Sequence, residues 1–114
     1  MSLPIRPLNP SFAVGAQLAP GDLAMVATMG FKTVINNRPD GEGGPDQPAS
    51  TAMQAAAEAA GLAYVYLPVV AGSYSPEQIQ AMRNTLDSAA APVLAFCRSG
   101  ARSTQFYMLA QQLS

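Results

Sequence analysis

The chain has no histidine and one cysteine among its 114 residues. Without histidine, Ser–His and Cys–His catalysis and most zinc sites are excluded within this chain. A single cysteine, Cys97, excludes an internal disulfide and suits a reducing cytoplasm. Charge is scarce as well: 11% of residues carry it and the net charge is −1, which leaves no electrostatic footprint for nucleic acid or an acidic membrane. No apolar run approaches the roughly 20 residues of a membrane span. The opening Met1-Ser2-Leu3-Pro4-Ile5-Arg6 lacks a signal-peptide pattern, so a cytoplasmic location is expected. The composition asks for neither metal nor cofactor.

What is present is apolar material, 49% of the chain. That suffices for one domain over residues 1–114 with its own core. Phe12 to Leu18 reads as a first strand. Pro20-Gly21-Asp22 opens a helix that Gly30 ends. Lys32 to Asn36 is a β-branched strand, followed by a Gly/Pro-rich loop from Asn37 to Pro45. Ala49 to Ala60 is helical, and Leu62 to Val70 reads as a buried strand. Ser75-Pro76-Glu77-Gln78 is a capped helix start, and that helix runs to about Ala90. Pro92 to Phe96 is a short apolar strand, and a last helix runs from about Arg102 to Leu113. Met25, Met29, Met53, Met82 and Met108 read as core filler. Strand and helix alternate throughout, which predicts a single α/β domain with a mostly parallel central sheet flanked by helices. Ligands in such sheets bind beyond the carboxyl ends of the strands. The loops after Ile35 and after Phe96 lie there.

The second of these loops is Cys97-Arg98-Ser99-Gly100-Ala101-Arg102-Ser103. A buried strand must turn into a helix within a few residues, and Gly100 supplies the permissive backbone. Successive N–H groups then point into one concavity at a helix N-terminus, an anion cradle. Arg102 offers a fork to an oxyanion, and Arg98 adds a second cation. A thiol in that field is expected to be a thiolate near neutral pH. Two arginines in a charge-poor chain have no packing reason to stand here. Ser99, Gly100, Ala101 and Ser103 complete the cradle, with Ser103 a donor to sulfur, a helix cap, or both. Asn37 and Arg38 read either as the rim of the anion site or as turn residues. Asp40 reads either as a catalytic acid or as part of a Pro-Asp-Gly turn. Tyr74 and Tyr107 read either as lining the entrance or as packing near a strand end.

The Cys97–Ser103 loop with Pro92–Phe96 before it, the block Thr33–Glu42 and the opening Val14–Leu18 together resemble the phosphatase-like domain of the β-lactamase-hydrolase-like protein family. The resemblance implies the dual-specificity-phosphatase fold and a bacterial cytoplasmic protein. It also implies a metallo-β-lactamase-like sulfur dioxygenase as a fused or neighbouring partner. The cysteine loop alone is similar to that of single-domain rhodaneses. Dual-specificity phosphatases place five residues between the nucleophilic cysteine and the arginine, whereas four separate Cys97 from Arg102. They also carry an aspartic acid on a loop about 30 residues upstream. The matching stretch here, Pro68 to Ser75, has no carboxylate.

Those departures favour a thiosulfate or persulfide sulfurtransferase acting through a Cys97 persulfide, since a sulfane sulfur brings a good leaving group and needs no general acid. The alternative is a phosphatase acting through a phosphocysteine, with Asp40 as its only acid candidate. A non-catalytic anion- or phosphopeptide-binding module is the third reading. The expected ligand is accordingly a small oxyanion, a sulfane sulfur compound or a phosphomonoester.

Overall fold

The computed structural model describes residues 3–113. Five strands form one sheet in the order β1-β2-β5-β3-β4: β1 is Ile5–Asn9, β2 Phe12–Gly15, β3 Thr33–Asn36, β4 Ala63–Tyr66 and β5 Val93–Phe96. Four α-helices accompany them among the described residues: α1 Leu23–Thr28, α2 Ser50–Ala59, α3 Pro76–Ser88 and α4 Ala101–Gln111. Strands β2, β5, β3 and β4 run parallel, as the alternation of elements predicts, and β1 is antiparallel to β2. None of these helices is long and apolar enough to cross a membrane.

The central strands are apolar on both faces and divide their side chains by the period of two. Ala13, Val34, Leu94 and Phe96 face one way and join Leu23, Val26, Met53 and Ala57 of α1 and α2. Phe12, Val14, Ile35, Val93 and Ala95 face the other way and join Met82 of α3 and Phe106 of α4. One core is thus sealed by α1 and α2, the other by α3 and α4.

Several boundaries differ from the sequence reading. The first strand is β1, which the sequence reading leaves out. Pro7 interrupts any strand pattern there, and proline is tolerated in β1 because it is an edge strand. The expected buried strand Leu62–Val70 contracts to β4, the opposite edge, whose side chains are only partly buried. Pro20–Asp22 is a 3-10 turn that leads into a six-residue α1. Of the methionines expected in the core, Met53 and Met82 are there, but Met25, Met29 and Met108 are exposed. Short α1 has one inward stripe, and Leu23 and Val26 occupy it. The predicted cap of α3 is present: the Gln78 amide N–H donates to Ser75 Oγ at 3.1 Å, and the Ser75 N–H to Gln78 Oε1 at 2.9 Å.

Candidate active site

Gly15, Phe96 and Asn36 are register partners, so β2, β5 and β3 all end at one level. Cys97 is the next residue on the middle strand. The start of its loop is pinned from both sides. Cys97 N–H donates to the Gly15 carbonyl at 3.3 Å, Gln17 N–H to the Arg98 carbonyl at 3.2 Å, and Asn37 N–H to the Phe96 carbonyl at 2.9 Å. The chain then reverses through Gly100, whose φ is +96°. A Cβ there would rest at van der Waals distance, 3.4 Å, from the Gly15 carbonyl oxygen, so it is the conformation that selects glycine. α4 begins at the next residue.

Cys97 is 1% exposed. Burial pushes its thiol pKa up. The backbone N–H and hydroxyl of Ser103 and the N–H groups of Gly100 and Ser99 more than reverse this, and the thiol lies below its ordinary value. The Gly100 N–H is 3.1 Å from Sγ. The Ser103 hydroxyl also lies 2.8 Å from Asn37 Oδ1. It has one proton for two acceptors, so the backbone N–H groups are the constant part of the field. The sequence reading expects backbone dipoles and arginine to activate the thiol together. Arg98 is exposed, as are Ser99 and Ala101, and the arginine whose charge interacts with the thiol is Arg102.

Arg102 stands in the first turn of α4. Its Nη1 and Nη2 grip the Glu42 carboxylate at 2.9 and 3.0 Å, and Nη1 also donates to the Val69 carbonyl at 3.0 Å. Nε is buried and has no partner among the described residues. The Glu42 hydrogen bond and charge hold the guanidinium pKa above its ordinary value against burial. Arg38 reaches the same carboxylate: its Nε is 3.0 Å from Glu42 Oε1, and its Nη1 donates to Gln17 Oε1 at 3.1 Å. Between two guanidiniums, Glu42 stays ionised. The Arg102 hydrogen bond contributes most to holding its carboxyl below the usual range, and burial opposes this.

The loop after β3 therefore enters the site through Asn37 and Arg38, which the sequence reading names, and through Glu42, which it passes over. Glu42 was the missed residue. Its i,i+4 spacing to Arg38 was the available signal, but nothing local pointed to Arg102. Asn37 is fully buried rather than at the rim. Its Nδ2 donates to the Leu67 carbonyl at 3.0 Å, and its Oδ1 receives the Ser103 hydroxyl. Arg38, also buried, stands behind Glu42. Asp40 turns toward α2, where its Oδ1 accepts the Ser50 N–H at 2.8 Å, while its own N–H donates to the Tyr66 hydroxyl. Tyr74 does approach the site: its hydroxyl is 3.4 Å from the Arg102 carbonyl and 3.0 Å from Gln105 Oε1. Tyr107 lies elsewhere, stacked on Phe12 at 4.0 Å beside the start of β5. An open cleft of about 480 Å³ lies alongside, with walls that include Pro39, Pro68, Val69, Tyr74 and Gln78. Val69 and Tyr74 connect it to Arg102.

Compared with known proteins, the chain matches over residues 4–114 the family described as "Beta-lactamase hydrolase-like protein, phosphatase-like domain". It belongs to that family. Among its relatives are Beta-lactamase hydrolase-like proteins of Xylella fastidiosa, 38% identical over 104 residues, and of Agrobacterium fabrum, 35% identical over 106. The match covers 91% of this chain and 24% of the Xylella protein, so the chain spans about a quarter of the length of these curated relatives. Among solved structures, a Neisseria meningitidis protein provisionally designated a phosphatase superposes with a TM-score of 0.84 at 31% identity, covering 93% of this chain and 75% of that one. Tk-PTP in its active form gives 0.73 at 21% identity, covering 100% of this chain and 78% of that one, and carries the fold alone. The chain thus has the phosphatase-like fold that its loop motifs implied.

Proposed function

We propose that the domain is a cysteine-dependent phosphatase that hydrolyses phosphomonoesters through a phosphocysteine at Cys97. The observation that carries this is the buried sulfur, held below its ordinary pKa by the turn of backbone N–H groups that would cradle an oxyanion. The phosphatase designation of the Neisseria relative supports it. In the first step Sγ attacks phosphorus, the Sγ–P bond forms, the P–O bond to the leaving group breaks, and the departing oxygen takes a proton from solvent. Water then attacks the phosphocysteine, phosphate leaves and the thiolate returns. The loop N–H groups and Arg102 stabilise the phosphoryl oxygens. Glu42 is held ionised between its arginines, and Asp40 turns away toward α2, so neither is placed to protonate the leaving group. Aryl phosphates, whose leaving groups need little protonation, are the expected good substrates.

The four-residue spacing from Cys97 to Arg102, with no acid at hand, favours a second reading: sulfur transfer, the first choice on sequence alone. There the thiolate attacks the outer sulfur of thiosulfate, the S–S bond breaks, sulfite departs and a persulfide remains. A sulfur dioxygenase partner belongs with that reading. One experiment separates the two. The purified domain is incubated with p-nitrophenyl phosphate or with thiosulfate, and phosphate release and intact mass are followed. Steady phosphate release that Cys97→Ser abolishes is expected. A one-sulfur adduct on Cys97 without phosphate release would overturn the phosphatase reading. Oxyanion binding unchanged in Cys97→Ser, with no turnover of either compound by the native protein, would leave a binding module.

A further inference from the structure

The carboxylate of Glu42 raises a problem of charge. It takes both Nη groups of the arginine that should serve an oxyanion. A guanidinium bound in this way to a carboxylate forms a neutral pair, and its field beyond the pair is largely cancelled. The resolution lies one residue layer back. Arg38 binds the same Glu42 oxygen that Arg102 Nη2 binds, and its side chain is only 10% exposed. Burying a second cation behind an ion pair that is already complete is costly, and packing gives no reason for it.

We infer that Arg38 is a positioning residue: it offsets Glu42 electrostatically, so that Arg102 keeps a net positive charge for the bound oxyanion and for the Cys97 thiolate. The inference rests on the reading of the Cys97 loop as an oxyanion site, but not on which reaction occurs there. Arg38 touches neither the sulfur nor the cradle. It acts through Glu42, and Gln17 holds it in place: the Gln17 side chain accepts from Arg38 Nη1, and the Gln17 N–H fixes the Arg98 carbonyl. One residue after β2 thereby sets both the loop and the buried cation.

Besides Arg38, the charged and titratable groups around the cradle are Cys97 and Arg98 on the loop, Arg102 on α4, Glu42 after β3 and Tyr74 after β4. With Cys97 as thiolate and Tyr74 neutral, Arg38, Arg98 and Arg102 stand against Glu42 and Cys97, a net charge of +1, and of the three arginines Arg98 is exposed to solvent. Without Arg38 the group is neutral, with one of its two remaining cations screened by solvent, so the attraction for an anion weakens and the thiolate is favoured less.

The test is tungstate binding by calorimetry, together with the pH midpoint of iodoacetamide alkylation, in the native domain and in Arg38→Met, Arg38→Lys and Gln17→Leu. Arg38→Met should bind tungstate about tenfold more weakly or worse and move the alkylation midpoint to higher pH. Arg38→Lys, which restores the charge without the fork, should recover most of both. Gln17→Leu, which keeps the charge but releases one arm of the Arg38 fork, should change both by less than Arg38→Met does. Arg38→Met and Arg38→Lys losing tungstate affinity equally, or Arg38→Met leaving both readouts unchanged, would overturn the role assigned to Arg38. Absence of tungstate binding in the native domain would instead bring down the oxyanion site itself.

Discussion

Two loops leave the sheet side by side, one after β5 and one after β3, and they build the site by opposite means. The loop after β5 is short, and its backbone supplies the chemistry: N–H groups aimed at Cys97 Sγ, with a glycine where the chain must turn. The loop after β3 is long and rich in glycine and proline, and its side chains supply the chemistry. Glu42 and Arg38 reach Arg102, Asn37 reaches Ser103 and Leu67, and Asp40 reaches α2. A backbone device is fixed by a few consecutive residues. A side-chain device needs partners far away in sequence, and its parts can be removed one at a time.

The sharpest break between the loops is at the nucleophile. Cys97→Ser keeps the volume and the fold but replaces a thiolate with a neutral hydroxyl, and no histidine is present to activate it. Turnover of p-nitrophenyl phosphate should fall by about 10⁴-fold or more, with an unchanged circular dichroism spectrum. Gly100→Ala is the backbone counterpart. Its φ of +96° is a conformation that an added Cβ strains. The domain should lose about 1–2 kcal/mol in urea denaturation and most of its activity with it.

These differences in construction also explain what could be read in the sequence. The Cys97 loop was legible because its parts are adjacent, from the apolar strand through Gly100 to Arg102. The parallel sheet was legible because β2, β3 and β5 are short apolar runs separated by helix signals. The edges were not. Pro7 obscures β1, and the rest of the segment around β4 is tied by single backbone hydrogen bonds, such as Leu67 N–H to the Asn36 carbonyl. Nor was the second loop. Residues 37–46 look like an ordinary turn-rich connection, and only the folded chain brings Glu42, 60 residues from Arg102 in sequence, against it.

Glu42→Gln probes that long-range pairing. The variant keeps the shape and one hydrogen-bond acceptor but loses the charge, so Arg102 is held less firmly and kcat/KM should fall about tenfold. It also has a pH signature. The folded-state pKa of Glu42 lies below its unfolded value of 4.5, so the pairing stabilises the protein above that pH and the contribution disappears as pH falls through the lower folded-state value. Urea midpoints of native protein and Glu42→Gln should therefore differ at pH 7 and converge in acid. Equal midpoints at pH 7 would show that the carboxylate adds nothing to stability.

The smallest effect is expected at Asp40, and it separates architecture from chemistry within the second loop. Its carboxylate accepts the Ser50 N–H, one of the N–H groups at the start of α2 that no helical carbonyl can reach. Asp40→Ala should then cost about 1 kcal/mol, the usual loss for a helix-capping side chain, and leave kcat for p-nitrophenyl phosphate within about twofold. A catalytic acid would behave differently. Its removal would slow substrates with poor leaving groups far more than p-nitrophenyl phosphate, and would erase the alkaline limb of the pH–rate profile. Comparing phenyl phosphate with p-nitrophenyl phosphate in native protein and Asp40→Ala decides between them. A ratio unchanged by the substitution assigns Asp40 to the scaffold of α2, and the second loop then contributes to the site through Asn37, Arg38 and Glu42.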